Sequence, residues 1–506
     1  WLGGGARGAG PAVQRLVAMG WGVVTSVQGR GVLPEDHPAS LGSYNLQKPS
    51  EVFYQTVDAL LVVGSRLRSN ETLTYKLQLP AHRFRIDANA LTQNRAYDSE
   101  YFVQGDAQLT LDALADALDA ARRIGQALLD RGLNAERPVL IVSENDLEHA
   151  QLALGCLYAG IPWAPASPAY SLVSQDFEKL RHIVRTLTPG LVFASDAARY
   201  ERALLATVGD DVELVTTTGT VPGRATTSFA ALRATAATPA VDAAMQATGP
   251  DTIAKFLFTS GSTKLPKGVI NTHRMWCANQ QQIVASIPAL ADPDQPPVLV
   301  DWLPWNHTFG GNHNVGLTLH NGGTLFIDDG KPTPALMAET LRNLREIAPT
   351  VYFNVPTGFE AIANAMKTDA GLRRNLLSRV RLFFYAGAAL AQPVWDTLHQ
   401  VQEAELGERI VMGTGLGMTE SGPFGLYITS PEVRSGDLGL PAPGLELKLV
   451  PVQGKTEVRY RGPNITPGYW RNPEATAESF DEEGFFCTGD AVTWIDPANH
   501  HRGLRF

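Results

Sequence analysis

The sequence predicts an α/β protein built on parallel sheets, in three successive parts over residues 1–115, 116–430 and 431–506. Short, nearly all-apolar runs recur at 58–64, 138–142 and 191–194, as strands buried on both faces require. Segments with apolar residues at helical spacing lie between them, the alternation that a parallel sheet needs. After Ser430 the pattern changes to short strands punctuated by glycine and proline, which marks a smaller β-rich part.

In the first part, a glycine run at 3–8 leads into an expected helix over 11–19, where Val13, Leu16 and Val17 share one face. Strands are expected at 22–26 (Gly22-Val23-Val24-Thr25-Ser26), 58–64 and 84–87. The second part opens with a strand at 138–142 and a helix over 147–158, which Gly160 stops before a further strand and loop. Residues 191–194 form another strand. The Ala/Thr-rich stretch 231–248 is expected as a surface connection, with a helix as the alternative. An apolar strand follows at 253–258, and alternation continues to 430. In the β-rich part, strands are expected at 445–450 and 457–460.

The 506 residues, 44% hydrophobic and 18% charged, have the composition of a globular protein with several domains. A net charge of −9 argues against nucleic acid or an anionic membrane as the main partner. Cys156, Cys277 and Cys487 are too scattered for a disulfide framework or a zinc cluster, so a cytoplasmic location is expected. The longest uncharged run, 150–175, is broken by Gly155, Gly160, Pro162, Pro165 and Pro168. No membrane span is expected there. No basic stretch precedes an apolar run near residue 1, so no signal peptide is expected either.

The strongest chemical signal is Thr259-Ser260-Gly261-Ser262-Thr263-Lys264-Leu265-Pro266-Lys267-Gly268, directly after the 253–258 strand. Small residues let backbone N–H groups face a polyphosphate, the hydroxyls add donors, and Lys267 supplies a point charge. The spacing is not that of a Walker loop, and on composition alone a polar surface loop is an equal alternative.

Thr259 to Gly268 resembles the signature loop of the acyl-adenylate-forming superfamily, which includes acyl-CoA synthetases, luciferases and peptide-synthetase adenylation domains. Lys264 stands where that family usually has glycine. Further segments follow in the family's order. Trp302-Leu303-Pro304-Trp305-Asn306-His307-Thr308-Phe309-Gly310-Gly311 is similar to the segment whose His lies between carboxylate and nucleotide. Tyr385-Ala386-Gly387-Ala388-Ala389-Leu390 is similar to the adenine-contacting turn. Gly415-Leu416-Gly417-Met418-Thr419-Glu420 resembles an element with Tyr where Leu416 stands, its Thr on the α-phosphate and its Glu on Mg²⁺. Gly484-Phe485-Phe486-Cys487-Thr488-Gly489-Asp490 resembles the element whose Asp accepts from the ribose hydroxyls.

The resemblance implies Lys267, His307 and Thr419 as catalytic residues and Glu420 as the metal ligand. It implies that Thr259, Ser260, Gly261, Ser262, Thr263, Gly268, Gly387, Ala388, Ala389, Gly417 and Asp490 bind the nucleotide. ATP, Mg²⁺ and CoA are the expected cofactor and co-substrates. Stretches 137–176, 180–193 and 269–281 look like the feruloyl-CoA synthetase branch, including Ser167-Pro168-Ala169-Tyr170-Ser171. A hydroxycinnamate is therefore the expected aromatic carboxylate, in a slot between residues 305–311 and 354–360. A fatty acid is the alternative. The family's mobile C-terminal domain is expected to be absent from this chain, which would slow adenylation and prevent thioester formation.

Residues 1–110 resemble something else. Gly3-Gly4-Gly5-Ala6-Arg7-Gly8, the stretch 29–38 and the run 58–67 look like the central domain of thiamine diphosphate-dependent synthases and decarboxylases. Gly3, Gly5 and Gly8 also fit G-x-G-x-x-G, but a helix-packing turn is the favoured reading because no strand is visible before them. Two partial genes joined near 108–122 are inferred. A non-catalytic ATP-binding fragment and a thiamine-dependent carbon–carbon lyase are the rival functions.

Overall fold

The computed structural model describes the chain except for residues 93–94, 260–264, 291, 293–294 and 429–432. It divides into two compact units, Trp1–Ala121 and Arg122–Phe506. The division falls inside a continuous helix, Ala107–Asp130, so the region 108–122 is helix throughout.

The first unit carries a parallel sheet of β1 (Ala59–Val63), β2 (His82–Asp87) and β3 (Tyr101–Gln104) in that order. Helix Gly10–Ala18 buries Val13 and Leu16 against Leu2, Val63 and Ile86. Gly3 and Gly5 pack so tightly on Gly64 and Ser65, just after β1, that a Cβ at either would overlap backbone, so this turn packs on the end of a strand and not on a helix as expected. Residues 22–26 differ from expectation. They make isolated bridges, Val23 to Ser40 and Thr25 to Leu2, and no ladder. The cause is a change of partner at every step: Val23 donates to Ala39, Thr25 to Gly42 and Ser26 to Leu2. The Ser26 hydroxyl then caps a 3-10 turn, Val27–Gly29.

The second unit begins with β4 (Val139–Ile141), β5 (Trp163–Pro165), β6 (Leu191–Asp196), β7 (Glu213–Thr218), β8 (Thr226–Ser228), β9 (Ile253–Thr259) and β10 (Lys267–Thr272). They form one sheet in the order β10-β9-β5-β4-β6-β7-β8, parallel except for the β9–β10 edge pair. Helix Leu147–Ala159 starts at an Asp146 cap and stops at Gly160, whose φ of 65° is left-handed. The 231–248 stretch is largely helical, correcting the surface-connection expectation. Ser228 caps Phe229–Arg233, and Thr238 with Pro239 starts Pro239–Ala247, which buries Val241.

A two-stranded parallel pair, β11 (Val298–Asp301) with β12 (Thr324–Ile327), precedes the last group. That group comprises β13 (Val351–Asn354), β14 (Leu382–Tyr385), β15 (Val411–Leu416), β16 (Leu426–Tyr427), β17 (Asp437–Pro441), β18 (Glu446–Val452), β19 (Lys455–Arg461), β20 (Phe486–Ala491), β21 (Thr493–Trp494) and β22 (Leu504–Arg505). One sheet runs β13-β14-β15-β16-β17-β22-β21, and β18-β19-β20 form a separate antiparallel sheet. The glycine- and proline-rich region thus feeds two sheets, one shared with β13 to β16. The three cysteines are free thiols. Among the described residues no helix is long and apolar enough to cross a membrane.

His149 sits 3% exposed, edge-on to Trp305 with 4.9 Å between ring centroids, and burial pushes its pKa down to about 4. Its folded pKa lies below the ordinary value of about 6.5, so its contribution to stability is present above pH 6.5 and lost as pH falls toward 4. The urea midpoint should fall on acidification through this window, by up to about 1.4 kcal/mol per pH unit from this group. A His149→Gln variant should show a shallower decline.

Candidate functional site

β9 and β10 are antiparallel, with Thr259 facing Lys267 across the ladder. The residues between them that were expected to bind phosphate, Ser260, Gly261, Ser262 and Thr263, lie outside the described residues, as does Lys264. Thr259 and Lys267 both line a cavity of about 1000 Å³. His307, Gly387, Ala388, Ala389, Gly417, Thr419, Glu420 and Asp490 line the same cavity. Gly268 does not. It is buried one residue into β10, where its carbonyl accepts from the Trp470 N–H at 2.8 Å.

Each of these residues has a local cause for its place. β14 ends at Tyr385, and the chain then turns through Gly387 at a φ of 90°. β15 ends at Leu416, after which Gly417 lies so close to the Pro423 carbonyl that any Cβ there would overlap it. A 3-10 turn, Thr419–Ser421, follows. It leaves Thr419 buried against the cavity and Glu420 half-buried. Asp490 stands on β20, where burial and the nearby charge of Glu457 raise its carboxyl pKa.

Charge is arranged around Tyr469. The Lys267 ammonium sits 4.3 Å from the centre of the Tyr469 ring, and the Tyr469 hydroxyl donates to Glu420 Oε1 at 2.8 Å. Lys267 has no carboxylate partner among the described residues. Nor is there a cluster of three or more His, Cys, Asp or Glu able to cage a metal among them. Glu420 lines the cavity together with Asp437, Glu457 and Asp490. Half-buried beside Thr419, it fits Mg²⁺, which takes one or two protein carboxylates and completes its shell with phosphate oxygens and water.

The His307 Nδ1 accepts from the Phe309 N–H at 3.2 Å, which puts the proton of the neutral ring on Nε2. The ring lines the cavity, and desolvation lowers its pKa. The neutral form therefore dominates at pH 7. Six residues on, His313 is 1% exposed, and burial pushes its pKa down to about 4. Its ring stacks on Phe384 at 5.7 Å and meets Phe309 and Phe353 edge-on at 5.5 Å and 4.9 Å. Its Nδ1 bonds Asn314 Oδ1 at 2.8 Å, and Nε2 has no hydrogen-bond partner among the described residues. With the proton on Nδ1, Nε2 is an open acceptor.

The slot expected between 305–311 and 354–360 is only half present. His307, Thr308 and Phe309 line the cavity, but among the described lining residues none comes from 354–360. Asn354 is fully buried, taking hydrogen bonds from Trp302 Nε1 and the Val355 N–H and giving one to the Tyr352 hydroxyl, and Pro356–Thr368 is helix. The aromatic wall is made instead by Phe309, His313 and Phe384. Sequence reasoning missed His313 and Tyr469. Their signals were slight: a second histidine close behind His307, and one tyrosine in Pro467-Gly468-Tyr469-Trp470.

One sheet that is parallel but for its β9–β10 edge and one mixed sheet contribute residues to a nucleotide-sized cavity, with a lysine, several carboxylates and an aromatic wall in its lining, which defines an α/β protein with a ligand-sized cleft. The model of the AMP-binding enzyme family matches residues 89–470, and the chain belongs to that family. Residues 1–114 match the thiamine pyrophosphate enzyme central domain. Long chain acyl-CoA synthetase 6, peroxisomal, of Arabidopsis thaliana is 27% identical over 290 residues, 49% of this chain and 40% of that protein. 4-Coumarate–CoA ligase 3 of the same plant is 25% identical over 395 residues, 74% of this chain and 65% of that protein. The chain therefore spans 40% to 65% of these relatives' length. The crystal structure of ATP-bound MatB from Rhodopseudomonas palustris matches with a TM-score of 0.60 at 25% identity, covering 77% of this chain and 71% of that one.

The close approach at Gly417 gives a direct test. Gly417→Ala forces Pro423 or the Thr419–Ser421 turn to move, and should cost about 1–3 kcal/mol in a urea titration. An unchanged midpoint would show that the turn yields freely.

Proposed function

We propose that this chain is an AMP-forming carboxylate–CoA ligase that activates a hydroxycinnamate-type acid with Mg-ATP. The observation that carries the reading is the joining, on one cavity of about 1000 Å³, of Lys267, Thr419 and Glu420 with an aromatic wall that holds the buried His313, whose Nε2 has no hydrogen-bond partner among the described residues. A substrate carboxylate oxygen attacks the α-phosphorus, the bond to the bridging oxygen breaks, and pyrophosphate leaves. The CoA sulfur then attacks the acyl carbon, giving up its proton, and AMP departs.

Each residue has a task in this scheme. Lys267 meets the charge of the departing pyrophosphate, and the Thr419 hydroxyl orients the α-phosphate. His307, with its proton on Nε2, donates to the oxygens exchanged between acid and nucleotide. Gly387, Ala388 and Ala389 give the adenine a flat approach to backbone, and Asp490 accepts from the ribose hydroxyls. Glu420 would hold Mg²⁺, whose charge offsets that of the phosphates when bound. An open acceptor at His313 Nε2 among rings suits an acid whose aromatic ring carries a hydroxyl.

The two family matches, 1–114 and 89–470, support the reading of two gene pieces joined near residues 108–122, a region that is helix.

The test is acid-dependent exchange of labelled pyrophosphate into ATP, with ferulate, coumarate, cinnamate and octanoate. Ferulate or coumarate should support exchange, and Lys267→Ala and Glu420→Ala should each lower it about 100-fold or more. Exchange with none of the acids, alongside retained ATP binding, would leave a nucleotide-binding protein and end the ligase reading. His313→Leu should lower the preference for coumarate over cinnamate, measured as the ratio of kcat/KM, by about tenfold. An unchanged ratio would remove the ring hydroxyl from the argument.

A further inference from the structure

Tyr469 lies far in sequence from both Lys267 and Glu420, and the chain fixes it from three directions. Residues 464–470 lie along β10: Val269 bridges Tyr469, the Ile270 N–H donates to the Gly468 carbonyl at 3.1 Å, and the Trp470 N–H donates to the Gly268 carbonyl at 2.8 Å. The same segment is tied to the Thr419–Ser421 turn. The Thr466 N–H donates to the Glu420 carbonyl at 2.8 Å, and Asn464 Nδ2 donates to the Ser421 carbonyl at 2.7 Å. The Tyr469 N–H itself donates to Thr476 Oγ1 at 3.0 Å. Opposite Val269, the Tyr469 side chain is diagonal to Lys267, two residues back on β10, within the reach of an aromatic ring. It is 6% exposed.

So placed, one side chain handles two opposite charges. Its ring lies under the Lys267 ammonium, and its hydroxyl holds one oxygen of Glu420, yet Lys267 and Glu420 form no ion pair. Two such groups on one cavity wall attract each other, and direct contact would cancel the charges a metal–polyphosphate must meet. The phenol offers each a different partner: a π face for the cation and a hydrogen bond for the anion.

We propose that Tyr469 is a positioning residue that orients the Glu420 carboxylate for a divalent cation and keeps Lys267 apart from it, free for phosphate. The proposal rests on the Mg-ATP reading above. A donor behind a ligating carboxylate fixes which oxygen faces the metal, and loss of such outer partners typically costs 10- to 100-fold in metal affinity.

The experiment is calorimetric binding of ATP to the full chain, once with excess Mg²⁺ and once with EDTA, for wild type, Tyr469→Phe, Tyr469→Leu, Glu420→Gln and the Glu420→Gln/Tyr469→Phe pair. In Tyr469→Phe the ring stays and the hydroxyl goes. The gain in affinity from Mg²⁺ should shrink about tenfold while metal-free ATP binds as in wild type. Tyr469→Leu should also weaken metal-free ATP severalfold, because Lys267 is then drawn to Glu420. In the Glu420→Gln background, Tyr469→Phe should add nothing. An unchanged Mg²⁺ gain in Tyr469→Phe overturns the proposal. So does equal weakening with and without Mg²⁺ together with a lowered Tm, the mark of a packing role alone. Wild-type protein that fails to bind Mg-ATP overturns the adenylation reading and this inference with it. Wild-type binding with an indifferent Tyr469→Phe overturns only the inference.

Discussion

Lys255 stands in the middle of β9 with 2% of its surface exposed, and its Nζ donates to the Gly311 carbonyl at 2.8 Å. No carboxylate pairs with it among the described residues. The amine lies instead 3.8 Å from the centre of the Trp276 ring and 5.4 Å from that of Trp163, its register partner on β5. Burial pulls its pKa well below the ordinary lysine value. A buried amine is tolerated only where its N–H groups are satisfied, so the Gly311 carbonyl and the two indoles must be where they are. β9 is thereby fixed to the segment that carries His307.

That segment needs such support. Phe309–Asn314 is a π-helical turn, a wide form that disturbs the usual ladder of backbone partners. Side chains fill in. The Asn312 carbonyl accepts from Trp276 Nε1 and Gln280 Nε2, each at 2.9 Å, and Asn312 Nδ2 donates to Asn271 Oδ1 on β10 at 2.9 Å. Gly310 and Gly311 let the turn sit directly on the carbonyls of Leu303, Pro304 and Trp305, where a Cβ would overlap. The widened turn changes the helical phase between Phe309 and His313. Both nonetheless reach the cavity, with Phe384 between them and the strand layer.

These dependencies explain what the sequence could disclose. Apolar runs at 58–64, 138–142, 191–194 and 253–258 are strands because their burial on both faces is written locally, residue by residue. Lys267, Thr419 and Glu420 were singled out by the resemblance of their segments to a family, since composition alone left a polar surface loop as an equal reading, and the structure brings all three to one cavity. Residues 22–26 failed as a strand because their partners change at each step, and no local pattern encodes a partner 15 to 25 residues away. Stretch 231–248 misled in the other direction, since alanine and threonine hid two capped helices. His313 and Tyr469 were invisible for a deeper reason. The open nitrogen of one and the two charged neighbours of the other exist only after elements far apart in sequence have packed.

The cavity's position follows from strand direction. Thr259 is the last residue of β9, Tyr385 of β14 and Leu416 of β15, while His307 follows β11 by six residues. Polar cavity residues therefore come from loops beyond the carboxyl ends of strands in different sheets of the same unit, where an α/β fold leaves a crevice. Backbone there has just left the ladder, so glycine turns can expose N–H groups and small residues can admit a flat ligand. Tyr469 and Asp490 come from elsewhere, one along the outer side of β10 and the other from the antiparallel β20. Both line the same cavity, so the parallel strands and the glycine-rich region build its lining together. A mutation that loosened residues 464–470 from β10 would thus act on Lys267 and Glu420 together, although it touched neither.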